Sequence, residues 1–459
     1  MKTNSFSRFF SILLSLLLLL NLLAVPAAAV SVPDPDIQAR AALLVDQKTG
    51  AVVYAKNEHD ELYPASLTKI MTALLVLDAV DQGRLSMDQL ITASPTALEA
   101  VPEGSSTADP PLKAGEVLSV RNLLYCLLVV SANEAGNILA EAVSGSINAF
   151  VEEMNRRAAE LGCENTHFMN PHGFHDTQHY SSAWDLYLIT RAAMEYPEFM
   201  TICDTTSTTI PATNLSPERI LYNTNYLICG YRSRGYLNSE AHGVKTGSHS
   251  QAGHCLVATA QRASLGFVSV ILGAERTLLE DGVTWWTYSF GETNRLYDWA
   301  FNNFTYQTVL KEDDVAGEAA VSLSRTDHVT LHAAQALEIL VPKGLEPEEL
   351  EKTITLNADP AEAPIAAGDV LGTLTVSIDG KEYATVDLLA FTDVEASRLR
   401  VLWRDIRNFL STTQAKVGGA VLGTLLVLFL LWRLVFSRRR YRYGRSVGRS
   451  RSGYRGRRR

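Results

Sequence analysis

Two long apolar runs bracket the chain, and the hydrophobic period changes twice between them. Phe9 to Val25 is apolar, follows Lys2 and Arg8, and ends in Pro26-Ala27-Ala28-Ala29. This pattern predicts a secretory signal peptide over residues 1–29. At the far end Val417 to Phe436 is apolar but for Arg433. At about 1.5 Å per residue that run crosses a hydrocarbon layer about 30 Å thick, so it predicts a transmembrane helix over 417–436. Arg433 lies near enough to the end to reach the interface.

Between these runs, Ala41–Asp46 and Ala51–Ala55 flank the turn Gln47-Lys48-Thr49-Gly50 and predict a β-hairpin. The helical period then takes over, from Leu67 to Ala79 and through Val120–Leu128, Ala135–Val143 and Ile147–Leu161. Strand-like runs return at His254–Ala260 and Gly266–Gly273, and a last helix is expected over Asn294–Phe304. Strands thus open and close an α/β domain over residues 36–305, with helices in the middle. From 307 to 392, short alternating segments separated by Gly, Pro and Asp predict a small all-β domain, a sandwich or barrel. A charged segment of helical spacing, 393–416, leads to the membrane run.

Charge sharpens this division. The net charge of -9 over 459 residues conceals eleven arginines and no acid between Arg438 and Arg459, which leaves about -20 on the rest. The acidic bulk excludes nucleic-acid binding as the main task. The basic tail, 437–459, follows the apolar run directly, so the excess of cytoplasmic positive charge places it inside the cell and the bulk of the chain outside. The five cysteines form no C-x-x-C pair, which removes a zinc ribbon or redox motif from consideration. Export permits a disulfide, and Cys203 with Cys229 is the pair to test first.

Three short motifs carry chemistry. Ser66-Leu67-Thr68-Lys69 places a lysine three residues after a serine, on one face of a helix. A serine hydroxyl needs a neighbour to take its proton, and a desolvated lysine near a second cation can do so. Ser131-Ala132-Asn133 offers a hydroxyl for proton relay and an amide for orientation; its bland reading is a helix N-cap. Lys245-Thr246-Gly247-Ser248 opens a strand with an ammonium, a hydroxyl and a glycine that permits close backbone approach. Each motif alone is common. His172, His175 and His179 do not have a recognised zinc spacing, and no metal or cofactor is expected.

Taken in order, the three motifs resemble the signature of penicillin-binding proteins and serine β-lactamases. The wider wording, Tyr63–Ala73, Ser131–Ala135, Asn165–Phe174, Gly243–Gly247 and Gln251–His254, resembles the low-molecular-mass D-alanyl-D-alanine carboxypeptidases. That resemblance implies a β-lactamase/transpeptidase-like fold, an antiparallel sheet plus a helical subdomain. It also implies removal of the terminal D-alanine from peptidoglycan stem peptides through an acyl-Ser66 intermediate, with β-lactams as inhibitors. By the same resemblance Lys69 accepts the Ser66 proton, Ser131 passes it on beside Lys245, Asn133 orients substrate and Lys69, and Thr246 binds the terminal carboxylate. The N–H groups of Ser66 and Ser248 would form the oxyanion hole. Two departures stand out: Ser248 occupies a position where His is common, and the expected carboxylate-binding arginine has no clear match beyond Arg276. The rivals are a serine β-lactamase, which would need a glutamate over the acyl ester, and a non-catalytic wall-binding protein of the same fold.

Overall fold

The computed structural model describes residues 32–346, 350–378 and 380–437. The expected signal peptide and nearly all of the Arg-rich tail lie outside the described residues. Packing divides the chain into two units. The first runs to Val309 and includes Glu338–Glu351 and Ser377–Tyr383; the second comprises Leu310–Leu337, Lys352–Val376 and the chain from Ala384.

The first unit is organised by a five-stranded sheet. Its strands are β1 (Ala41–Asp46), β2 (Val52–Lys56), β3 (Ala241–His249), β4 (Gly253–Arg262) and β5 (Leu265–Ala274). They lie in the order β2-β1-β5-β4-β3, every neighbour antiparallel. Both faces are covered, which is why β4 and β5 read as continuous apolar runs rather than as an alternation. The period of two still operates: Val257, Val268 and Val270 enter one core, while Leu256, Ala258, Phe267 and Ile271 enter the other.

The first core holds the helices α1 (Lys69–Asp81), α2 (Val120–Leu128), α3 (Asn133–Ser144), α4 (Ile147–Glu160) and α5 (Ala183–Met194). Helix α1 is buried on all sides from Lys69 to Ala79, as a helix apolar all round must be. Capping serines start three of the others: Ser119, Ser146 and Ser182 accept from the N–H groups of Asn122, Ala149 and Asp185. The second core is closed by α6 (Tyr288–Asn303). That helix begins six residues before the sequence expectation, because Gly291 interrupts the apolar spacing. A Cβ there would lie 2.6 Å from the Trp286 ring, so the glycine serves close packing.

The second unit holds most of a six-stranded sheet that runs Glu351–Leu356, Val370–Ile378, Lys381–Ala390, His328–Ala333, Val315–Ser322 and Ala361–Glu362. Its alternation is clean: Val329, Leu331 and Ala333, or Val386, Leu388 and Ala390, face inward. Helix α7 (Arg398–Ser411) follows, held by the ion pairs Arg400–Asp327 and Arg404–Glu362. Helix α8 (Thr413–Ser437) is long and apolar enough to cross a membrane.

Candidate active site

The Ser66 motif does not begin as an α-helix. Ala65–Thr68 forms one 3-10 turn that passes into α1 at Lys69. Ala65 has φ +49°, a left-handed value that costs a non-glycine residue about 1–3 kcal/mol. The conformation is held from both sides. Thr68 Oγ1 donates to the Ala65 carbonyl at 2.8 Å. His179 Nδ1 accepts the Met169 N–H at 3.1 Å, so its Nε2 carries the proton and donates to Thr68 Oγ1 at 2.8 Å. Burial keeps His179 neutral, its pKa lowered to about 3. Gly173, at φ +82°, lies against the same carbonyl: a Cβ would fall 1.8 Å from Ala65 O. The histidine-rich loop is thus a brace for the Ser66 turn. Among the described residues no three His, Cys, Asp or Glu side chains converge as a metal-binding group.

Lys69 is fully buried. Its Nζ lies 3.0 Å from Ser66 Oγ, 2.7 Å from Asn133 Oδ1 and 2.6 Å from the His172 carbonyl. Desolvation, then the positive charge of Lys245, holds its pKa well below the ordinary lysine value; Glu134 opposes this. A neutral amine has two N–H donors and one lone pair. Nζ donates to Asn133 Oδ1, the His172 carbonyl and Ser66 Oγ; loss of one proton leaves two donors for Asn133 Oδ1 and His172 O and a lone pair at Ser66 Oγ. The sequence motifs did not disclose the third partner, because a backbone carbonyl 103 residues away leaves no mark in local spacing.

The other two motifs arrive from separate elements. Ser131, at φ +64°, turns the chain between α2 and α3 and leads Asn133 into the first helical position. The Ala132 N–H is tied to Cys126 O and the Asn133 N–H to Ser106 O. On edge strand β3 the register shifts between His242 and Lys245, after which Lys245 to Ser248 pair regularly with Val257 to His254. Lys245 is buried and its Nζ donates to Thr246 O at 2.8 Å. Desolvation brings its pKa down to about 7. Thr246 Oγ1 meets Thr224 Oγ1 at 2.7 Å. A Cβ on Gly247 would lie 2.9 Å from Pro64 O and 3.1 Å from Ser66 N, so only glycine lets β3 pass this close to the Ser66 turn.

Ser66, Ser131, Thr246 and Ser248 line one cleft of about 550 Å³. Lys69, Asn133 and Lys245 stand behind its wall, joined to the lining residues by contact or charge. Arg276, a weak candidate by sequence, lies on the lining next to His254, its guanidinium 5.0 Å from the Trp285 ring. Arg232, Tyr231, Tyr222 and Asp109 also line the cleft; no motif had marked them. The Cys203–Cys229 pairing that export would permit is not formed: all five thiols are free, and Cys203 is buried against β3, its Cβ 3.1 Å from where a Gly243 side chain would begin.

Comparison with known proteins agrees with this geometry. Residues 27–276 match the D-alanyl-D-alanine carboxypeptidase family, and residues 304–396 match the penicillin-binding protein 5 C-terminal domain. The D-alanyl-D-alanine carboxypeptidase DacF of Bacillus subtilis is 31% identical over 78% of this chain and 86% of its own length. DacA of Haemophilus influenzae is 32% identical over 81% and 89%. The crystal structure of penicillin binding protein 5 from Haemophilus influenzae superposes with a TM-score of 0.65 at 31% identity, over 80% of this chain and all of that one. By sequence, by fold and by domain order, the chain belongs to the D-alanyl-D-alanine carboxypeptidase family of penicillin-binding proteins.

Proposed function

We propose that this serine hydrolase removes the terminal D-alanine of peptidoglycan stem peptides by a mechanism centred on Ser66 and Lys69. The observation that carries the reading is the setting of Lys69: a fully buried amine whose pKa is held well down by desolvation and by Lys245, with Nζ 3.0 Å from Ser66 Oγ. Ser66 attacks the carbonyl of the penultimate D-alanine and Lys69 accepts its proton. The N–H groups of Ser66 and Ser248 hold the oxyanion. Ser131 delivers a proton to the departing amine, with the Lys245 ammonium supporting the transfer. Asn133 orients both Lys69 and the substrate. Thr246, aided by Arg276, receives the terminal carboxylate. Water then releases the acyl group from Ser66. Among the described residues lining the cleft there is no glutamate to activate that water, which favours slow release of a penicilloyl group over β-lactamase turnover.

The same reading extends to place and organisation. A signal peptide over 1–29 exports the chain, and α8 anchors it through 417–436. The carboxypeptidase domain, 36–305, and the β-domain, 307–392, face outward; the Arg-rich tail stays in the cytoplasm. The test uses the purified full-length protein in detergent. D-alanine release from a D-Ala-D-Ala pentapeptide should fall by about a thousandfold or more in Ser66→Ala. Penicillin should label Ser66 and stay bound for many turnover times. Equal D-alanine release from both proteins, or rapid penicillin turnover, defeats the reading.

A further inference from the structure

The cleft extends past the catalytic groups to a rim that the reaction at Ser66 does not use, and this rim carries two opposite charges. Asp109 and Arg232 both line the cleft. Among the described residues neither has an ion-pair or hydrogen-bond partner, and both are exposed. The backbone that presents Asp109 is fixed. Buried Arg219 donates to the carbonyls of Pro110 at 2.7 Å and Pro111 at 3.4 Å, and Glu134 Oε1 accepts the Ala108 N–H at 2.8 Å. Arg232 follows Tyr231, whose ring stacks on Tyr222 with centroids 3.7 Å apart and planes within 4°. A flat aromatic pair, an acid on a fixed backbone and an unpaired guanidinium line the same cleft as Ser66.

We infer that Asp109 and Arg232 form a subsite for the stem-peptide residue preceding D-Ala-D-Ala, selecting a diamino dicarboxylic acid. Asp109 takes the side-chain ammonium, and Arg232 takes the side-chain carboxylate through its planar donor fork. A diamino monocarboxylic residue, such as lysine, satisfies Asp109 alone and leaves the guanidinium without a counter-charge. The Tyr231–Tyr222 stack supports the aliphatic part of the side chain. This inference rests on the carboxypeptidase reading and adds the substrate class to it.

The experiment compares acyl-X-D-Ala-D-Ala peptides on the full-length protein, with X a diamino dicarboxylic acid, lysine or alanine. Two readouts are taken: D-alanine release, and protection of Ser66 from a fluorescent penicillin. The dicarboxylic peptide should exceed the lysine peptide in kcat/KM by about tenfold, as one charge-assisted contact allows. In Arg232→Gln that ratio should fall towards one, and in Arg232→Glu it should invert. Asp109→Asn should narrow the gap between the lysine and alanine peptides. In the unaltered protein the ratio should fall as salt rises, because rim charges are screened. Wild-type rates within twofold for all three peptides, or ratios untouched by these substitutions and by salt, overturn the subsite. If no peptide loses D-alanine, the hydrolytic reading fails on its own, while the order of protection still decides for or against the subsite.

Discussion

The two units are both built on antiparallel sheets, yet they treat charge in opposite ways. The first unit buries Lys69, Lys245, Glu134, Asp185, His172, His179 and the ion pair Arg219–Glu116. In the second, among the described residues, Ser324 is the buried polar side chain, and the ion pairs sit on the surface. An alternating sheet with a dry core is an economical fold, but it offers nowhere to desolvate a lysine. The first unit carries interior polar networks that a core alone would not require, and its chemistry depends on them.

The contrast can be tested by breaking like features in both units. The largest effect is expected at Arg219. Its pair with Glu116, 2.7 Å apart and fully enclosed, also anchors the Asp109 segment. Arg219→Ala should cost about 3–5 kcal/mol in urea unfolding, since it strands a buried carboxylate. Burial opposes ionisation of Glu116, but hydrogen bonds from Arg219, Thr213 and the Lys113 N–H outweigh it and hold the carboxyl below its usual range. The pair's contribution is therefore complete above the unfolded carboxylate pKa and is lost as pH falls through the lower, folded value.

Gly173→Ala and Gly368→Ala form the next pair. Both glycines have positive φ, so both variants carry the same backbone cost of about 1 kcal/mol. Only Gly173 faces the Ala65 carbonyl; Gly368 faces open space. The extra loss at Gly173, about 1–3 kcal/mol, should appear together with slower penicillin labelling of Ser66, whereas Gly368→Ala should leave labelling unchanged. An equal effect in the two would mean that the brace around the nucleophile turn is not needed.

pH offers a gentler probe. On the mechanism proposed, Lys69 accepts the Ser66 proton in its unprotonated form, which its lowered pKa favours; kcat/KM should fall on the acid side as pH passes below that pKa. The same proposal uses Lys245 charged, and with its pKa near 7 the rate should then decline on the alkaline side by about tenfold per pH unit. A profile flat from pH 6 to 9 would remove Lys245 from the reaction. The smallest change is expected for Arg404→Ala, which breaks the exposed pair with Glu362 and should alter stability by about 0–1 kcal/mol. A loss as large as that at Arg219 would erase the distinction between the units.

Much of the fold could be read from period and punctuation, because each cue is local. The β1–β2 hairpin, helices α2 to α4 and the alternating segments of the second unit all lie close to their sequence expectations. So does the gathering of Ser66, Ser131, Thr246 and Ser248 at one cleft. What escaped was set by close approach between distant segments. The His172 carbonyl on Lys69, the Gly173 contact with Ala65 and the Arg219–Glu116 clamp each join residues about 100 apart. The early start of α6 escaped for a local reason, since Gly291 reads as a break until the Trp286 ring is seen packed against it. The unpaired charges of Asp109 and Arg232 gave no motif because they sit in separate loops.

The bare approach of β3 at Gly247 has an evolutionary consequence. On the mechanism proposed, a penicillin-like inhibitor and a wall peptide both use the N–H groups beside Ser66, and the strand passes so near that any side chain at 247 would press on Ser66 N itself. Drug tolerance cannot arise by narrowing this point, because the wall substrate would be shut out with the drug. Selection for tolerance is directed to the rim of the cleft, where, on the subsite inferred above, a change at Tyr231 or Arg232 would also alter the choice of stem peptide.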